Sequence, residues 1–409
     1  MLVKGVWWPS YFKIHFRTIS TKLIRRRMVQ GAGTDIMTQL DYRGKLVLAP
    51  MVRVGTLPMR LLALQYGADM VYSPETVDKR LIKSKRVVND ILGTVDFVST
   101  DSGTLTLRIH PSEMDRLVVQ LGTGDPDLAV QAARLVEKDV AGIDVNCGCP
   151  KRFSLVSSMG AALLSDPDRL IAILSKLVAE ISLPITCKIR MLPASESQTA
   201  IERTIDLMKR IEKTGVKAIG VHCRFKDERP QDPGHWEIFE PIANAVQVPV
   251  IANGDIFSLS DVRKLQASSA IHSFMLARAP QYNVSVFRRE GLLPIRTIME
   301  EYARTAIQYD MPFHNAKYCL LLMWPSSMGK QYRETLAKTK TYKDLCHHLG
   351  LAEFYDDTIR KREKQTAILR QSNPIVTQET GELGSECPYI PETPDHAVVM
   401  RQSTSATTS

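Results

Sequence analysis

The sequence predicts an α/β fold, a TIM (β/α)8 barrel followed by a small all-α helical domain. Three observations carry it. From Lys45 onward, short apolar runs alternate with longer amphipathic ones. Each short run ends in a hydrogen-bonding or conformationally special residue, the pattern of a functional rim. After Pro294 the strand-like runs stop and only helical patterns follow.

Strands are expected at residues 45–51, 70–75, 117–122, 142–148, 184–190, 218–224, 248–254 and 273–279. Gly, Pro or polar residues bound each one, as they bound parallel strands buried on both faces. Helices are expected at 57–66 and at 127–138, where Leu128, Ala132 and Leu135 share a face. Residues 167–181 open with Asp166 as N-cap and Pro167 at the first helical position. Residues 201–214 repeat Ile201, Ile205, Met208 and Ile211 and stop at Gly215. A doubly wound open sheet shows the same alternation, so strand count and site geometry must decide. Beyond Pro294 the expected helices are 295–309, 315–323, 332–338, 342–349 and 352–369.

The expected domains are a basic N-terminal extension at 1–40, a catalytic barrel at 41–294, a helical domain at 295–370 and a disordered acidic tail at 371–409. Of 409 residues, 44% are apolar and 24% charged, the balance of a globular protein. Net charge is +9; the tail from 371 has five Asp/Glu against Arg401, a net of −4, which leaves the rest at +13. A body so basic favours a polyanionic partner. Residues 1–34 hold seven Lys/Arg and no acid, the composition of a mitochondrial transit peptide or of an unstructured extension. Seven scattered cysteines argue against a secreted disulfide framework and for reduced thiols inside the cell. No apolar run reaches the roughly 18 residues that span a bilayer.

Catalytic groups of a TIM barrel sit at the C-terminal ends of its strands. In order, those ends hold Ala49-Pro50-Met51, Glu75, Gln120, Asn146 with Cys149, Lys188 with Arg190, His222 with Arg224, Asn253-Gly254-Asp255, and Ala277-Arg278. A lone His or Gln is usually a satisfied buried group; eight strands ending this way make a site. Asn253-Gly254 and Ala277-Arg278 occupy the fold's phosphate position, with backbone N–H groups and a guanidinium for the anion. Lys188 and His222 supply positive charge over the mouth, which a reduced flavin needs at its N1–C2=O edge. Gln120 and Asn146 suit the pyrimidine-like edge, and Pro50-Met51 the face of a flat ring. FMN fits better than a dinucleotide, since no G-x-G-x-x-G opens a βαβ unit.

Cys149 has three readings. With Cys147 it forms a C-x-C pair, but without two further clustered Cys or His this is weak evidence for a metal. Strand alternation turns Cys147 toward the helices, as packing. Cys149 follows a glycine into the loop, and a thiol with pKa near 8.5 is mostly protonated at neutral pH, the state a proton donor needs.

The stretches Leu48-Ala49-Pro50-Met51-Val52-Arg53, Asp144-Val145-Asn146-Cys147-Gly148-Cys149-Pro150-Lys151, Met159-Gly160-Ala161-Ala162-Leu163-Leu164, Cys187-Lys188-Ile189-Arg190, Val221-His222, Ile251-Ala252-Asn253-Gly254 and Asn315-Ala316-Lys317-Tyr318-Cys319-Leu320 follow one another in order. Together they resemble the tRNA-dihydrouridine synthases, most closely the eukaryotic branch acting on position 20 of the D-loop. The resemblance runs from about Tyr42 to Thr358. It implies that reduced FMN passes hydride to C6 of a uracil, that Cys149 protonates C5, and that NADPH regenerates the flavin. It places Pro50, Met51, Val52, Gln120, Lys188, His222, Asn253, Gly254, Asp255, Ala277 and Arg278 around FMN, with Glu75 near the flavin or the uracil. Animal relatives append a double-stranded RNA-binding domain, for which 39 residues from 371 are too few. tRNA is then expected on the barrel rim and helical domain, through Asn146, Lys151, Arg152, Arg190, Arg224, Lys317 and Tyr318.

Ser157-Ser158 departs from the family, whose members commonly have glycine before Met-Gly, and this stiffens the loop. His222-Cys223-Arg224 replaces the commoner His-Gly-Arg, Ala277 stands where bacterial members often have Gly, and Val284 where Pro is frequent. None removes a chemical role. A monomer without metal or membrane, in the cytoplasm, mitochondrion or nucleus, is expected. Two rivals remain: an FMN oxidoreductase of a small pyrimidine, and a non-catalytic tRNA-binding protein. The basic helical domain argues against the first, and intact Cys149, Lys188 and His222 against the second.

Overall fold

A computed structural model describes residues 40–151, 154, 156–323 and 329–372. The N-terminal extension, Arg152 and the tail from 373 lie outside the described residues. The strands are β1 (Leu46–Leu48), β2 (Met70–Tyr72), β3 (Thr76–Val77), β4 (Ser84–Asn89), β5 (Thr94–Ser99), β6 (Leu105–Ile109), β7 (Leu117–Gly122), β8 (Gly142–Cys147), β9 (Ile185–Arg190), β10 (Ala218–His222), β11 (Val250–Asn253) and β12 (Ser273–Leu276). Parallel pairing runs β1, β2, β7, β8, β9, β10, β11, β12 and back to β1. The sheet therefore closes on itself with no free edge, and the eight expected strands form a barrel rather than an open sheet. Several end earlier than the sequence suggests, because their last polar residues already belong to the rim loops.

Strand alternation sorts the side chains into two layers. Leu48, Val119, Val145, Cys147, Cys187, Ile189, Val221, Cys223 and Leu276 face the surrounding helices. Val47, Ala49, Met70, Tyr72, Val118, Ala218, Ile251 and Met275 fill the lumen, with Met51 and Ala277 packed against them. Cys147 is buried against the helices, as alternation predicts.

The helices around the barrel are α1 (Leu57–Gln65), the short α2 (Asp78–Ile82), α3 (Pro126–Val136), α4 (Pro167–Glu180), α5 (Ala200–Glu212), α6 (Phe239–Ala245), α7 (Leu259–Ser268) and α8 (Arg278–Tyr282). Asp125 caps α3 by accepting from the N–H groups of Asp127 and Leu128, with Pro126 first in the helix. That places the helix start one residue before the expected Asp127. Asp166 caps α4 as expected. Thr199 and Glu202 form a capping box on α5.

Between β2 and β7 the chain adds an antiparallel sheet, β4–β5–β6, that the βα alternation did not suggest. Buried pairs fix it. Arg108 binds Asp96 through two hydrogen bonds of 2.8 and 2.7 Å, and Arg60 holds Glu113 at 2.8 Å twice. Removing one member of such a pair strands a buried charge, which typically costs about 3–5 kcal/mol.

After the barrel come α9 (Ile295–Gln308), α10 (Phe313–Leu322), α11 (Lys330–Lys338), α12 (Tyr342–Leu349) and α13 (Ala352–Ser372). They dock against α1 and the β4–β6 sheet. Tyr66 on the barrel side hydrogen-bonds Glu301 of α9, and Arg108 donates to the Tyr309 carbonyl at 2.5 Å. No described helix is long and apolar enough to cross a membrane.

Candidate active site

Register brings the polar residues of β7, β8 and β9 together at the mouth. Gln120 pairs with Asp144, and Asn146 with Lys188. Gln120 donates to Asp144 at 2.8 Å and accepts from the Asn146 amide at 3.2 Å. Thr186 donates to the other Asp144 oxygen at 2.7 Å. Asp144 is fully inside, and burial lifts its pKa to about 6 against the pull of Gln120, Thr186 and Lys188. Burial and the nearby Arg190 guanidinium bring Lys188 down to about 8, although Asp144 opposes them. Burial, Lys188 and three arginines hold His222 neutral, well below the usual histidine range. Sequence reasoning passed over Asp144 because it lies inside an apolar strand; its parity with Asn146 is the signal that finds it.

The opposite side is a cavity of about 210 Å³ lined by His222, Asn253, Gly254, Met275, Ala277 and Arg278, among others. Arg190, Arg224, Arg229 and Arg278 face it against only Glu228 and Asp255, so its wall is net cationic. Gly254 has φ +122°, and a Cβ there would lie 2.5 Å from Cys223 Sγ. Only glycine brings the backbone this close. Asn253 donates to the Met275 carbonyl at 2.7 Å, locking β11 to β12. Asp255 does not line the cavity as a free acid. It takes bonds from Arg224 and Arg278 and from the Gly234 N–H, at 2.7 Å for the last. Burial works against ionisation, yet these donors hold Asp255 below the usual carboxylate range. The loop carrying Glu228, Arg229 and Pro230 was not singled out in the sequence; Trp236 anchors it, donating to the Gly254 carbonyl at 3.0 Å.

Cys149 sits in the loop after β8. Asn146 Oδ1 accepts from the backbone N–H groups of Gly148 at 2.9 Å and Cys149 at 3.0 Å, so one side chain fixes where the loop departs. The loop closes where Ala161 N–H donates to the Cys149 carbonyl at 2.9 Å. Gly160 permits this: its φ is +59°, and a Cβ would lie 2.7 Å from that carbonyl. Burial pushes the Cys149 thiol up; the Ser154 hydroxyl beside it opposes, and the Glu75 carboxyl pushes it up again. Glu75 is itself raised by burial, against a hydrogen bond from the thiol and the charge of Lys151. Its Oε1 is buried without a partner among the described residues. The site thus presents a protonated thiol with a carboxyl behind it.

Of the remaining predicted residues, Pro50 and Met51 are half-buried at the mouth, and Val52 is 50% exposed. Lys151 is exposed beside Cys149 and Glu75. Arg190 lines the cavity and holds the Gly148 and Phe225 carbonyls, both at 2.9 Å. Arg224 is bonded inward too. It is 2% exposed, and its guanidinium is spent on Asp255 and the Asp232 carbonyl. Lys317 turns back onto the Thr339 carbonyl at 2.7 Å. Tyr318 lies under Arg53.

A family model described as dihydrouridine synthase (Dus) matches residues 47–374. The Schizosaccharomyces pombe NAD(P)+ tRNA-dihydrouridine(20) synthase is 44% identical over 319 residues, covering 76% of this chain and 65% of that protein. The Saccharomyces cerevisiae protein of the same name is 37% identical over 384 residues, 85% of this chain and 96% of that protein. A mouse tRNA-dihydrouridine(16/17) synthase-like protein is 30% identical over 72% of this chain and 58% of its own length. Among solved structures, an old yellow enzyme homologue from Zymomonas mobilis covers 66% of this chain and 96% of its own, at 11% identity and a TM-score of 0.44, too distant to argue from. With a family model spanning most of its length, the chain belongs to the dihydrouridine synthases.

Proposed function

We propose that this protein reduces the C5=C6 bond of a uracil in the D-loop of tRNA, at position 20, using FMN and NADPH. The observation that carries the reading is the Cys149 thiol in the loop after β8, whose base Asn146 ties to the Gln120–Asp144 pair at the barrel mouth. The names of the fungal relatives supply the substrate class.

The residues present fit FMN. The cationic cavity and the close backbone approach at Gly254 suit its phosphate, with Asn253 and Arg278 beside it. Met51 and Ala277, packed on the lumen core, provide apolar surface for the ring. Lys188 offers charge to the ring's N1 edge, and Gln120 an amide already oriented by Asp144. When bound, reduced FMN supplies hydride to C6, and NADPH restores it.

The chain's own chemistry is proton delivery. Cys149 gives its proton to C5, and burial together with the adjacent Glu75 keeps that proton in place until the carbon becomes basic. The Glu75 carboxyl raises the thiol's pKa further, on top of burial. Asn146 fixes the loop base to the Gln120–Asp144 pair, so thiol and ring-binding amide share one framework.

The test is Cys149→Ala. The expected outcome is normal flavin content and dihydrouridine formation lower by roughly 10²–10⁴. Unchanged dihydrouridine formation would remove the thiol from the mechanism.

A further inference from the structure

Arg53 lies two residues beyond Met51, on the loop that leaves the C-terminal end of β1, where Met51 packs against the lumen core. Its backbone is left-handed, φ +67°, which non-glycine residues avoid. Two donors from α10 meet its carbonyl there: the Asn315 amide at 2.8 Å and the Cys319 thiol at 3.6 Å. The helical segment therefore sets the position of a residue at the edge of the barrel mouth. From that backbone the exposed side chain crosses Tyr318, with Cζ 3.8 Å from the ring centroid. The guanidinium has no carboxylate partner among the described residues. Val52, 50% exposed, adds apolar surface alongside.

A planar cation backed by an aromatic ring, open on its other face and unpaired, is suited to one class of ligand. Bases stack on guanidinium planes, and the N–H edge remains free for the neighbouring phosphate. A small free pyrimidine in the barrel mouth has no second base to place there. We propose that Arg53 and Tyr318 form one platform on which a nucleotide flanking the target uridine stacks. The platform sets the register of the RNA strand as the uracil enters the mouth. This rests on the reading of the protein as a tRNA-modifying enzyme.

The experiment uses the FMN-loaded full chain and unmodified tRNA transcript. It compares wild type with Arg53→Ala, Arg53→Lys, Tyr318→Ala and Arg53→Ala/Tyr318→Ala. Steady-state dihydrouridine formation gives KM and kcat; flavin content, and flavin reduction by NADPH without tRNA, report on the site itself. Arg53→Ala and Tyr318→Ala are each expected to raise the KM for tRNA about tenfold, the scale of one lost stacked base, with flavin content and reduction unchanged. The double variant is expected to be little worse than either single one, because the two side chains act as a unit. Arg53→Lys keeps the charge and loses the plane, so it is expected to resemble Arg53→Ala. A wild-type KM in Arg53→Ala, or full rescue by Arg53→Lys, overturns the platform. If the underlying functional reading is wrong, wild type itself forms no dihydrouridine, a result separable from both.

Discussion

Lys188 faces the mouth from β9 near Asp144, and burial brings its pKa to about 8. The ordinary value is 10.5, so the bare protein gives up this proton early. An anionic ring edge placed beside it would raise the pKa back. Binding of reduced FMN is therefore expected to take up a proton between about pH 8 and 10.5, and its affinity to fall as pH rises through that window. Calorimetry in buffers of different ionisation enthalpy measures the uptake; affinity independent of pH would show that Lys188 does not meet the charge. Asp144 behaves in the opposite sense. Its folded pKa lies above its usual 3.8, so it lowers the stability of the unliganded fold as pH rises from about 4 through 6. At this scale the sequence was legible where a side chain stands at a strand end, as Lys188, His222 and Cys149 do. It could not tell a cation that reaches outward from one consumed by the scaffold. Arg224 and Arg190 look alike in the chain, yet both are bonded into neighbouring loops.

The barrel strands were readable because each is a short apolar run flanked by turn residues, and buried parallel strands leave that trace. The antiparallel insertion was not read, although residues 94–97 alternate polar and apolar and Gly93 and Gly103 mark the turns, because a βα framework leads one to treat the span between two barrel strands as a connection. The rim loops depend on backbone conformations that sequence shows only indirectly. Ser158 adopts φ +54° in the Cys149 loop, where a glycine is easily accommodated, so the stiffening suggested by Ser157-Ser158 has a backbone basis. Two substitutions test the loops separately. Gly254→Ala forces a Cβ onto Cys223 at a left-handed position. It is expected to lose most bound flavin and to destabilise the fold by about 1–3 kcal/mol, read from flavin content and thermal melting. Gly160→Ala is expected to keep flavin and lower turnover, because only the neck holding Cys149 is crowded. Equal flavin loss in both would mean that the loops are not independent.

Across the whole molecule, the charge of +13 outside the acidic tail and the helices docked against α1 and the β4–β6 sheet point to a large anionic substrate. The existence of those helices was legible from their periodicity, but their docking was not, since it rests on contacts such as Arg108 to Tyr309 that join distant stretches. tRNA affinity is expected to fall at least tenfold between about 50 and 200 mM salt, as counterions released from phosphates are returned. A flat response in a binding assay would favour a small pyrimidine substrate. The most direct measurement is mass mapping of an unmodified tRNA transcript after incubation with the purified FMN-loaded protein and NADPH. The account expects a gain of two hydrogens at the position 20 uridine with wild type and its near absence with Cys149→Ala. A transcript left unreduced by wild type, or reduced equally by both, would contradict it.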